Sequence, residues 1–593
     1  MSDEKERLSG DRSMSLFEIL SHSRPYIKPE LGWVILAFIL ILIQVGVDIS
    51  VPLITGQFVS MLQSTLNDTP FSALIGLVSG YVALAVSGQV ILYFQSMILQ
   101  KSGQRIVYRM RMDVFTHVEN MSQNQLNQMP VGSLVTRVAN YTAAVSDLFT
   151  SVLVRLISNV LTVIGVLIMM MAISIQLSLY LMIFAAVAGL FSFFFWKFVG
   201  KIFRKERAYI SDMNAFLSEN LSGMKITQIF HQEKRKNKEF EAKNQAIRKA
   251  NYQVVLAFAF YRPFLNLLYY GSLAVTFFVG LSLALSAAEI VEFYLFLSRF
   301  FNPIQNIADQ LNQIQRAVTA AERLYSLLDV KPEVVDAEDA IDIDHFEGKI
   351  EFKHVYFAYE EENWILKDVS FVVEPKQTVA FVGATGAGKT TILSLIVRNY
   401  EIQKGEILID GINIKHIKIN SLRKAIGQML QDVFLFSGSI RTNITLHDES
   451  FTDEEIKAAV DYVNASSFID KLPNGLEEEV LERGENFSAG QRQLLSFART
   501  ILHKPQVLIL DEATANIDTE TEQLIQDSLE KIKNIGTMLV VAHRLSTIQH
   551  ADNIIVLQSG EIIEQGTHQD LLKQRGYYYR LYQLQYEDQE AQG

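Results

Sequence analysis

Long apolar runs alternate with charged stretches over the first half of the chain. A membrane-spanning helix needs roughly 20 consecutive apolar residues. Six runs reach that length, at about 31–59, 71–99, 148–172, 175–198, 255–284 and 288–312. Tight turns near Ile173-Ser174 and Ser286-Ala287 join the third run to the fourth and the fifth to the sixth. The pattern predicts an all-α membrane domain with six spans at 31–312, after a polar N-terminal segment at 1–30.

Basic residues are distributed unevenly among the connecting segments. Lys and Arg are absent from 60–70, 173–175 and 285–288. They are frequent in 1–30, 100–147 and 197–250. Because positive residues favour the cytoplasmic side, we expect a multi-pass protein of the cytoplasmic (plasma) membrane with both termini in the cytoplasm. The first apolar run is too long for a cleaved signal peptide. A buried soluble helical bundle is the alternative, and the charge asymmetry argues against it.

From Gly348 onward the pattern changes to short strands that alternate with helices. Strands are predicted at 349–352, 369–373 and 378–382. This alternation is typical of an α/β nucleotide-binding domain, which we place at 348–593. Residues 313–347 are predicted to be a linker that is helical at Ala317–Leu328 and acidic from Glu333 to Asp344.

Composition narrows the class of protein. The 593 residues are 49% hydrophobic, with a mean hydropathy of +0.16, which is high for a soluble enzyme. The net charge of -12 argues against nucleic acid as a partner. The absence of cysteine excludes disulfides, cysteine-ligated zinc sites and thiol catalysis.

A glycine-rich phosphate-binding loop follows the predicted strand 378–382. It consists of Gly383, Ala384, Thr385, Gly386, Ala387, Gly388, Lys389 and Thr390, and it matches G-x-x-x-x-G-K-[ST]. A helix is predicted from Thr391 to Arg398, so backbone N–H groups and a helix N-terminus would surround the phosphates, with Thr391 at that start. Lys389 would reach the β- and γ-phosphates, and the Thr390 hydroxyl would hold Mg²⁺. The fold class is therefore an all-α six-helix transmembrane domain plus an α/β P-loop nucleotide-binding domain.

Two adjacent acids end an apolar strand at 507–510. Asp511 is placed to hold Mg²⁺ through water. Glu512 is placed to orient or deprotonate an attacking water molecule. The loop and these acids together predict an ATPase that uses ATP and Mg²⁺.

The order of these motifs resembles that of the ATP-binding cassette (ABC) family, and specifically its exporter half-transporters, over nearly the whole chain. The resemblance implies four further roles. They are adenine stacking for Tyr359, Mg²⁺ and membrane-domain sensing for Gln431, a γ-phosphate switch for His543, and a dimer-interface loop for Asp518.

The family's signature, usually Leu-Ser-Gly-Gly-Gln, is altered in this chain. It consists of Phe487, Ser488, Ala489, Gly490 and Gln491. The resemblance implies that this helix start contacts the γ-phosphate bound to the opposite subunit. A glycine there allows close backbone approach and φ > 0, so we expect Ala489 to weaken the contact. Harmless drift is the alternative, since alanine is the smallest replacement.

The complete catalytic set and the altered signature together predict a heterodimer. This chain would supply Lys389, Asp511 and Glu512 to one ATP site and a defective signature to the other. The expected partner is a second ABC half-transporter subunit that lacks the glutamate, which we favour over a homodimer.

Cytoplasmic loop tips and charged residues inside the spans are the remaining candidates. In the family, short helices at the loop tips couple the two domains, and 122–129 and 210–220, around Phe216, are the best matches. Asp48, Arg262 and Arg299 lie inside predicted spans, where ionisable residues are costly. Asp48 would contact a cationic substrate, pair with an arginine or face an aqueous cavity.

The leading hypothesis is that the protein is an ATP-driven exporter of amphipathic drugs or lipid-like molecules. The partners implied are the lipid bilayer and a hydrophobic or cationic small-molecule substrate, since the spans are rich in aromatic residues. The six spans argue against a soluble ABC ATPase, and fusion of the two domains argues against an importer. A peptide cargo and a lipid flippase remain open alternatives.

Overall fold

A computed structural model describes residues 14–64, 71–360, 363–429, 432–511, 519–533, 535–541 and 548–592. The chain divides into two compact units. The first consists of Met1–Glu119 and Met129–Val330, and the second of Asn120–Gln128 and Lys331–Gly593.

Helices account for nearly all of the described chain up to residue 328. In order they are α1 (Leu16–Ile27), α2 (Leu31–Ser64), α3 (Phe71–Glu119), α4 (Gln123–Asn127), α5 (Val131–Thr136), α6 (Thr142–Asp147), α7 (Leu153–Ile173), α8 (Ile175–Ser222), α9 (Met224–Ile229), α10 (Glu233–Ser282) and α11 (Ala287–Leu328). Two π-helical segments, Arg137–Tyr141 and Leu148–Val152, lie on either side of α6. The predicted linker helix at 317–328 is the last part of α11.

Serine residues begin the helices at two of the predicted tight turns. The Ser174 side chain accepts a hydrogen bond from the Leu177 backbone N–H and so begins α8. Ser286 and Glu289 form a reciprocal capping box that begins α11. Such caps satisfy backbone donors that a helix start otherwise leaves without partners. Short turns that end in a capping serine therefore connect α7 to α8 and α10 to α11.

Within the described part of the chain, five helical stretches are long and apolar enough to cross a bilayer. They are Phe17–Gln63, Leu74–Glu119, Val131–Ile173, Ile175–Ser222 and Glu233–Ser282. The sixth predicted span lies in α11 and is not one of these five. Its apolar stretch also contains Glu289, Glu292 and Arg299, which lower its hydropathy. The sixth span therefore stays a prediction.

Several of these helices are far longer than a bilayer is thick. The 48 residues of α8 extend about 72 Å at 1.5 Å per residue, against a hydrocarbon core of about 30 Å. The excess length lies in the basic segments 100–147 and 197–250, into which these helices continue.

The second unit contains the strands β1 (Ile350–Ala358), β2 (Trp364–Val373), β3 (Thr378–Val382), β4 (Lys404–Ile409), β5 (Ile412–Asn413), β6 (Ile426–Met429), β7 (Gly438–Ser439), β8 (Glu479–Val480), β9 (Val507–Asp511), β10 (Thr537–Val541), β11 (Asn553–Gln558) and β12 (Glu561–Gly566). A six-stranded, mostly parallel sheet has the order β12-β11-β3-β10-β9-β6. A four-stranded antiparallel sheet has the order β2-β1-β4-β5, and β7 pairs with β8.

Helices cover both faces of the six-stranded sheet. They are α12 (Lys389–Ile396), α13 (Ile419–Ala425), α14 (Ile440–Thr445), α15 (Asp453–Tyr462), α16 (Ser466–Ile469), α17 (Ala489–Leu502), α18 (Thr519–Ile532), α19 (His568–Gln574) and α20 (Tyr577–Gln592). Successive β3 residues join different cores, Val379 and Phe381 on one face and Ala380 and Val382 on the other. Burial on both faces explains why this strand is a continuous apolar run.

Candidate functional site

The glycine-rich loop connects β3 directly to α12 at the carboxyl edge of the parallel sheet. Gly388 precedes α12 with a φ of 103°, a left-handed conformation that glycine adopts readily. A methyl group at Gly388 would lie 2.7 Å from Leu366 Cδ2. Conformation and space therefore both require glycine at the last loop position before Lys389.

Lys389 holds the loop closed through its side chain. Its Nζ donates hydrogen bonds to the carbonyl oxygens of Gly383, at 2.7 Å, and Ala384, at 3.1 Å. Burial lowers the pKa of the Lys389 ammonium, and the charge of Asp511 acts in the opposite direction. The side chain is buried at the edge where phosphate charge would have to be compensated.

Asp511 ends β9 at the same edge of the sheet. Val541 of β10 is in register with both Phe381 of β3 and Asp511 of β9, so the three residues lie side by side on parallel strands. The phosphate-binding loop begins two residues after Phe381. Sheet topology therefore brings Asp511 to the loop although 127 residues separate Asp511 from Ala384 in the sequence.

The oxygen atoms available at this edge suit Mg²⁺. Thr390 follows Lys389 in α12 and its side chain is exposed, and Asp511 contributes a carboxylate. Hydroxyl and carboxylate oxygens are ligands that this hard cation accepts alongside phosphate and water. We therefore keep Thr390 and Asp511 as candidate Mg²⁺ residues.

Tyr359 lies directly after β1 and is held from two sides. Its hydroxyl shares a hydrogen bond of 3.1 Å with Thr391 Oγ1 at the start of α12. Its ring packs edge-to-face against Tyr400, with ring centroids 5.1 Å apart and planes at 80°. The Tyr359 side chain is still 40% exposed. A partly exposed, fixed aromatic ring beside the loop is suited to stack on a base.

The signature residues form the start of α17. Ser488 Oγ accepts from the Gln491 N–H at 3.2 Å, and Gln491 Oε1 accepts from the Ser488 N–H at 2.9 Å. Ser488 and Ala489 are exposed, whereas Phe487 and Gly490 are buried. The result is an exposed helix N-terminus whose serine oxygen accepts the capping hydrogen bond while its hydroxyl hydrogen can still be donated to a phosphate.

The structure removes one of the two reasons for expecting Ala489 to be defective. Ala489 is the first residue of α17 and does not have a positive φ. The expectation that alanine restricts a conformation needing φ > 0 is therefore wrong, because the helical conformation suits any L-residue. What remains is the exposed methyl group itself, which adds bulk at the helix start.

Four predicted site residues lie outside the described residues: Gln431, Glu512, Asp518 and His543. Their roles stay predictions.

A segment of the first predicted cytoplasmic loop, Asn120–Gln128, belongs to the second unit. Ser122 Oγ donates to Glu333 Oε2 at 2.7 Å. The wholly buried Gln125 donates from Nε2 to the Lys331 carbonyl at 2.8 Å. The predicted loop-tip helix at 122–129 is observed as α4, capped by Ser122.

The segment also reaches the aromatic residues beside the phosphate-binding loop. Asn127 Nδ2 donates to the Tyr400 hydroxyl at 3.3 Å. Burial raises the pKa of that hydroxyl, so it stays protonated. Sequence reasoning missed Tyr400 and Glu333, because each acquires its role through partners distant in the chain.

In the second loop the tip lies further along the chain than expected. Phe216 is inside the hairpin of α8 and α10, with its ring centroid 6.4 Å from that of Phe240 and 5.7 Å from Lys243 Nζ. The exposed apolar residues follow it: Ile226 is 64% and Phe230 67% exposed. The expectation that 210–220 forms a short helix at the loop tip is therefore wrong, because these residues lie inside α8 and the short helix that follows is α9.

The charged residues of the predicted spans differ in their surroundings. Asp48 Oδ1 forms an ion pair with Arg299 Nη1 at 3.2 Å, so the arginine pairing is the alternative that the structure favours. Arg262 is exposed. Glu292, which sequence reasoning did not select, is half-buried on α11.

Known proteins share both halves of this architecture. Residues 34–304 match the family model described as the ABC transporter transmembrane region, and residues 366–515 match the one described as ABC transporter. A Streptococcus pneumoniae protein named as an ABC transporter ATP-binding protein, exp8, is 37% identical over 96% of this chain and 97% of its own length. The Bacillus subtilis strain 168 protein “Probable multidrug resistance ABC transporter ATP-binding/permease protein YheH” is 38% identical over 86% of this chain and 76% of its own.

A solved structure of a bacterial Atm1-family ABC exporter with ATP bound has a similar fold. Its TM-score is 0.75 at 25% sequence identity, over 94% of this chain and 98% of that one. The similarity therefore extends over both units.

Proposed function

From the premise that the chain belongs to the ABC transporter family, we propose that it exports amphipathic drugs or lipid-like molecules across the cytoplasmic membrane. It is an integral membrane protein in which a helical transmembrane domain is fused to an ATPase, and it couples ATP hydrolysis to transport. The related YheH protein has multidrug resistance in its name, which supports this substrate class. The uneven loop charges support cytoplasmic termini.

The arrangement of the phosphate-binding loop, Lys389 and Asp511 at one sheet edge carries the proposal. Tyr359 would stack on adenine, the loop from Gly383 to Thr391 would surround the phosphates, and Thr390, Asp511 and Gln431 would hold Mg²⁺. Glu512 acts on the attacking water, and His543 contacts the γ-phosphate. Mg²⁺ would neutralise charge that develops on the phosphoryl oxygens, and the protein residues supply positioning.

Coupling between the two activities is proposed to run through the loop tips. Segment Asn120–Gln128 would transmit ATP-driven movement because several side-chain hydrogen bonds hold it against the ATPase unit. The exposed apolar tip around α9 would dock on the ATPase domain of the other subunit. ATP favours the closed pair of domains, and that preference shifts the membrane half toward its outward-facing state.

The subunit composition is proposed to be heterodimeric, with one hydrolytic and one degenerate ATP site. The exposed methyl group of Ala489, which adds bulk at the start of α17, supports this composition. A homodimer is the competing assembly. In either case the signature of one chain, Ser488 to Gln491, and Asp518 contribute to the ATP site of the other.

Expression of the full chain alone and together with a second half-transporter encoded beside it tests this proposal. We expect drug-stimulated ATP hydrolysis and dye export only with both chains. A stable homodimer with full drug-stimulated activity would exclude the heterodimer but leave the export function intact. If no assembly shows ATP-dependent dye export or ATP-dependent lipid translocation, the proposed substrate class is excluded.

Ala489→Gly is the matched variant for the signature. It should tighten ATP binding at the composite site that uses this signature, measured as the ATP concentration at half-maximal binding. An unchanged value would show that the methyl group has no effect there.

A further inference from the structure

Three ionisable side chains lie along the interface between α2 and α11, the predicted first and sixth spans. Asp48 and Arg299 form the ion pair described above. The Glu292 carboxyl group lies against the backbone of Gly56, where an added methyl would collide with the Glu292 carboxyl group. Since Asp48 faces Arg299 and Gly56 faces Glu292, the helices are antiparallel here. Seven residues, about 11 Å of helix, separate Arg299 from Glu292.

The two carboxylates of this interface differ in their partners. Asp48 is compensated by Arg299 and also receives a hydrogen bond of 3.4 Å from Gln44 Nε2. Glu292 has no hydrogen bond or ion pair with any residue that the structure describes, and the charged residue that acts on it is Glu289, also negative. The interface therefore carries a paired acid and, two turns away, an unpaired one.

Helix geometry gives the ion pair a structural role. Pro52 and Pro303 lie four residues after Asp48 and Arg299 within their helices. Proline has no N–H, so the carbonyls of Asp48 and Arg299 lose their usual helical partner. The ion pair thus joins α2 to α11 at the two turns that the prolines weaken. This stabilising contact between the two helices, or brace, explains why Asp48 and Arg299 lie inside predicted spans without requiring that either binds substrate.

Glu292 has no such explanation. Ionisable groups in membrane helices are costly and usually have a partner or a functional task. Glycine at position 56 gives the carboxyl group room against the α2 backbone, and the side chain stays half-buried, so it remains partly accessible. A single carboxylate cannot provide the six to eight oxygen ligands of Ca²⁺. It suits one organic cation, whose apolar body favours the membrane interior.

We propose that Glu292 binds the cationic group of an amphipathic organic cation during transport, and that the Asp48–Arg299 pair does not bind substrate. This inference rests on the proposed export function and specifies its substrate class. It moves the cation-binding role from Asp48, the acid that the sequence suggested, to an acid that has no partner.

Uptake of two probes into inside-out membrane vesicles tests the proposal. The vesicles contain the full chain in whichever assembly, one chain or two, hydrolyses ATP. The probes are tetraphenylphosphonium, a permanent cation, and calcein acetoxymethyl ester, which is uncharged. Glu292→Gln should reduce ATP-dependent tetraphenylphosphonium uptake at least about tenfold, as for loss of one partner of a desolvated charge pair. Uptake of the uncharged ester should stay within about twofold.

Three variants distinguish the effect of the Glu292 charge from an effect on helix packing. Glu292→Asp should keep most tetraphenylphosphonium uptake, because it keeps the charge. Gly56→Ala should reduce it selectively, because its methyl displaces the carboxyl group. Asp48→Asn, the matched control, should lower uptake of both probes by the same factor, because it weakens a brace.

The possible results separate this inference from the export proposal. Glu292→Gln vesicles that lose both probes equally, or that keep tetraphenylphosphonium uptake, would overturn the role of Glu292. Wild-type uptake of the ester alone would overturn it while export stands. If vesicles with the wild-type protein take up neither probe, both the amphipathic-drug export proposal and this inference are excluded.

Discussion

Replacement of Tyr400 should impair ATP binding although Tyr400 lies outside the predicted ATP motifs. Its ring packs against Tyr359, at 5.1 Å between centroids, and against Phe357, at 5.7 Å. Its hydroxyl accepts the hydrogen bond from Asn127. Tyr400→Ala removes the ring on which the orientation of Tyr359 depends, whereas Tyr400→Phe removes only the hydroxyl.

The two variants differ in expected magnitude. An edge-to-face aromatic pair contributes about 0.5–1.5 kcal/mol beyond its buried area. If that energy orients Tyr359, its loss corresponds to an increase in KM for ATP of up to about tenfold. The hydrogen bond from Asn127 is long and partly exposed, so Tyr400→Phe should cost about 0.5 kcal/mol. It should leave KM nearly unchanged.

Steady-state ATP hydrolysis by the purified full-length assembly in detergent measures KM for ATP and kcat. Tyr400→Ala should raise KM with little change in kcat, because base stacking binds the ground state and the transition state equally. Tyr359→Ala should do the same, and the double variant should be no worse than Tyr359→Ala alone. An unchanged KM in a folded Tyr400→Ala protein, beside a raised KM in Tyr359→Ala, would refute the reasoning.

Three further predictions test the site more directly. Gly388→Ala should weaken ATP binding more than Gly386→Ala, because both have positive φ but only the first methyl meets a neighbour, Leu366; equal losses by ATP titration would contradict this. Glu512→Gln should nearly abolish turnover while ATP binding persists, and retained turnover would contradict its role as base. Ser488→Ala should destabilise the start of α17 by about 1 kcal/mol through loss of its cap, whereas an unchanged hydrogen-exchange rate there would show that the cap is unimportant.

The ATP-binding motif was largely predictable because its parts are contiguous in the sequence. An apolar strand, a glycine-rich turn and a helix follow one another, and each is determined by local side-chain pattern and backbone freedom. The structure begins α12 at Lys389, two residues before the predicted Thr391. The membrane helices were predictable for a similar reason, since hydropathy acts along one continuous segment.

The errors concern features that local pattern does not determine. A signature glycine suggested a positive φ, yet a helix begins at Ala489 and its φ is helical. The second loop was assigned its tip at 210–220, because an amphipathic helix looks the same whether it packs inside a hairpin or ends one. The contacts of Phe216 and the exposure of Ile226 distinguish these cases.

The class of protein follows from the linear chain, because apolar run lengths specify membrane helices, loop charges predict their orientation, and ordered motifs indicate the ATPase. Which charged and aromatic residues meet depends instead on how the helices and strands pack in three dimensions. Asp48 and Glu292 are both acids in apolar runs, and what separates them is that Arg299 faces one and Gly56 the other. That difference arises from the register of two helices more than 200 residues apart, because pairing energies depend on distance in space.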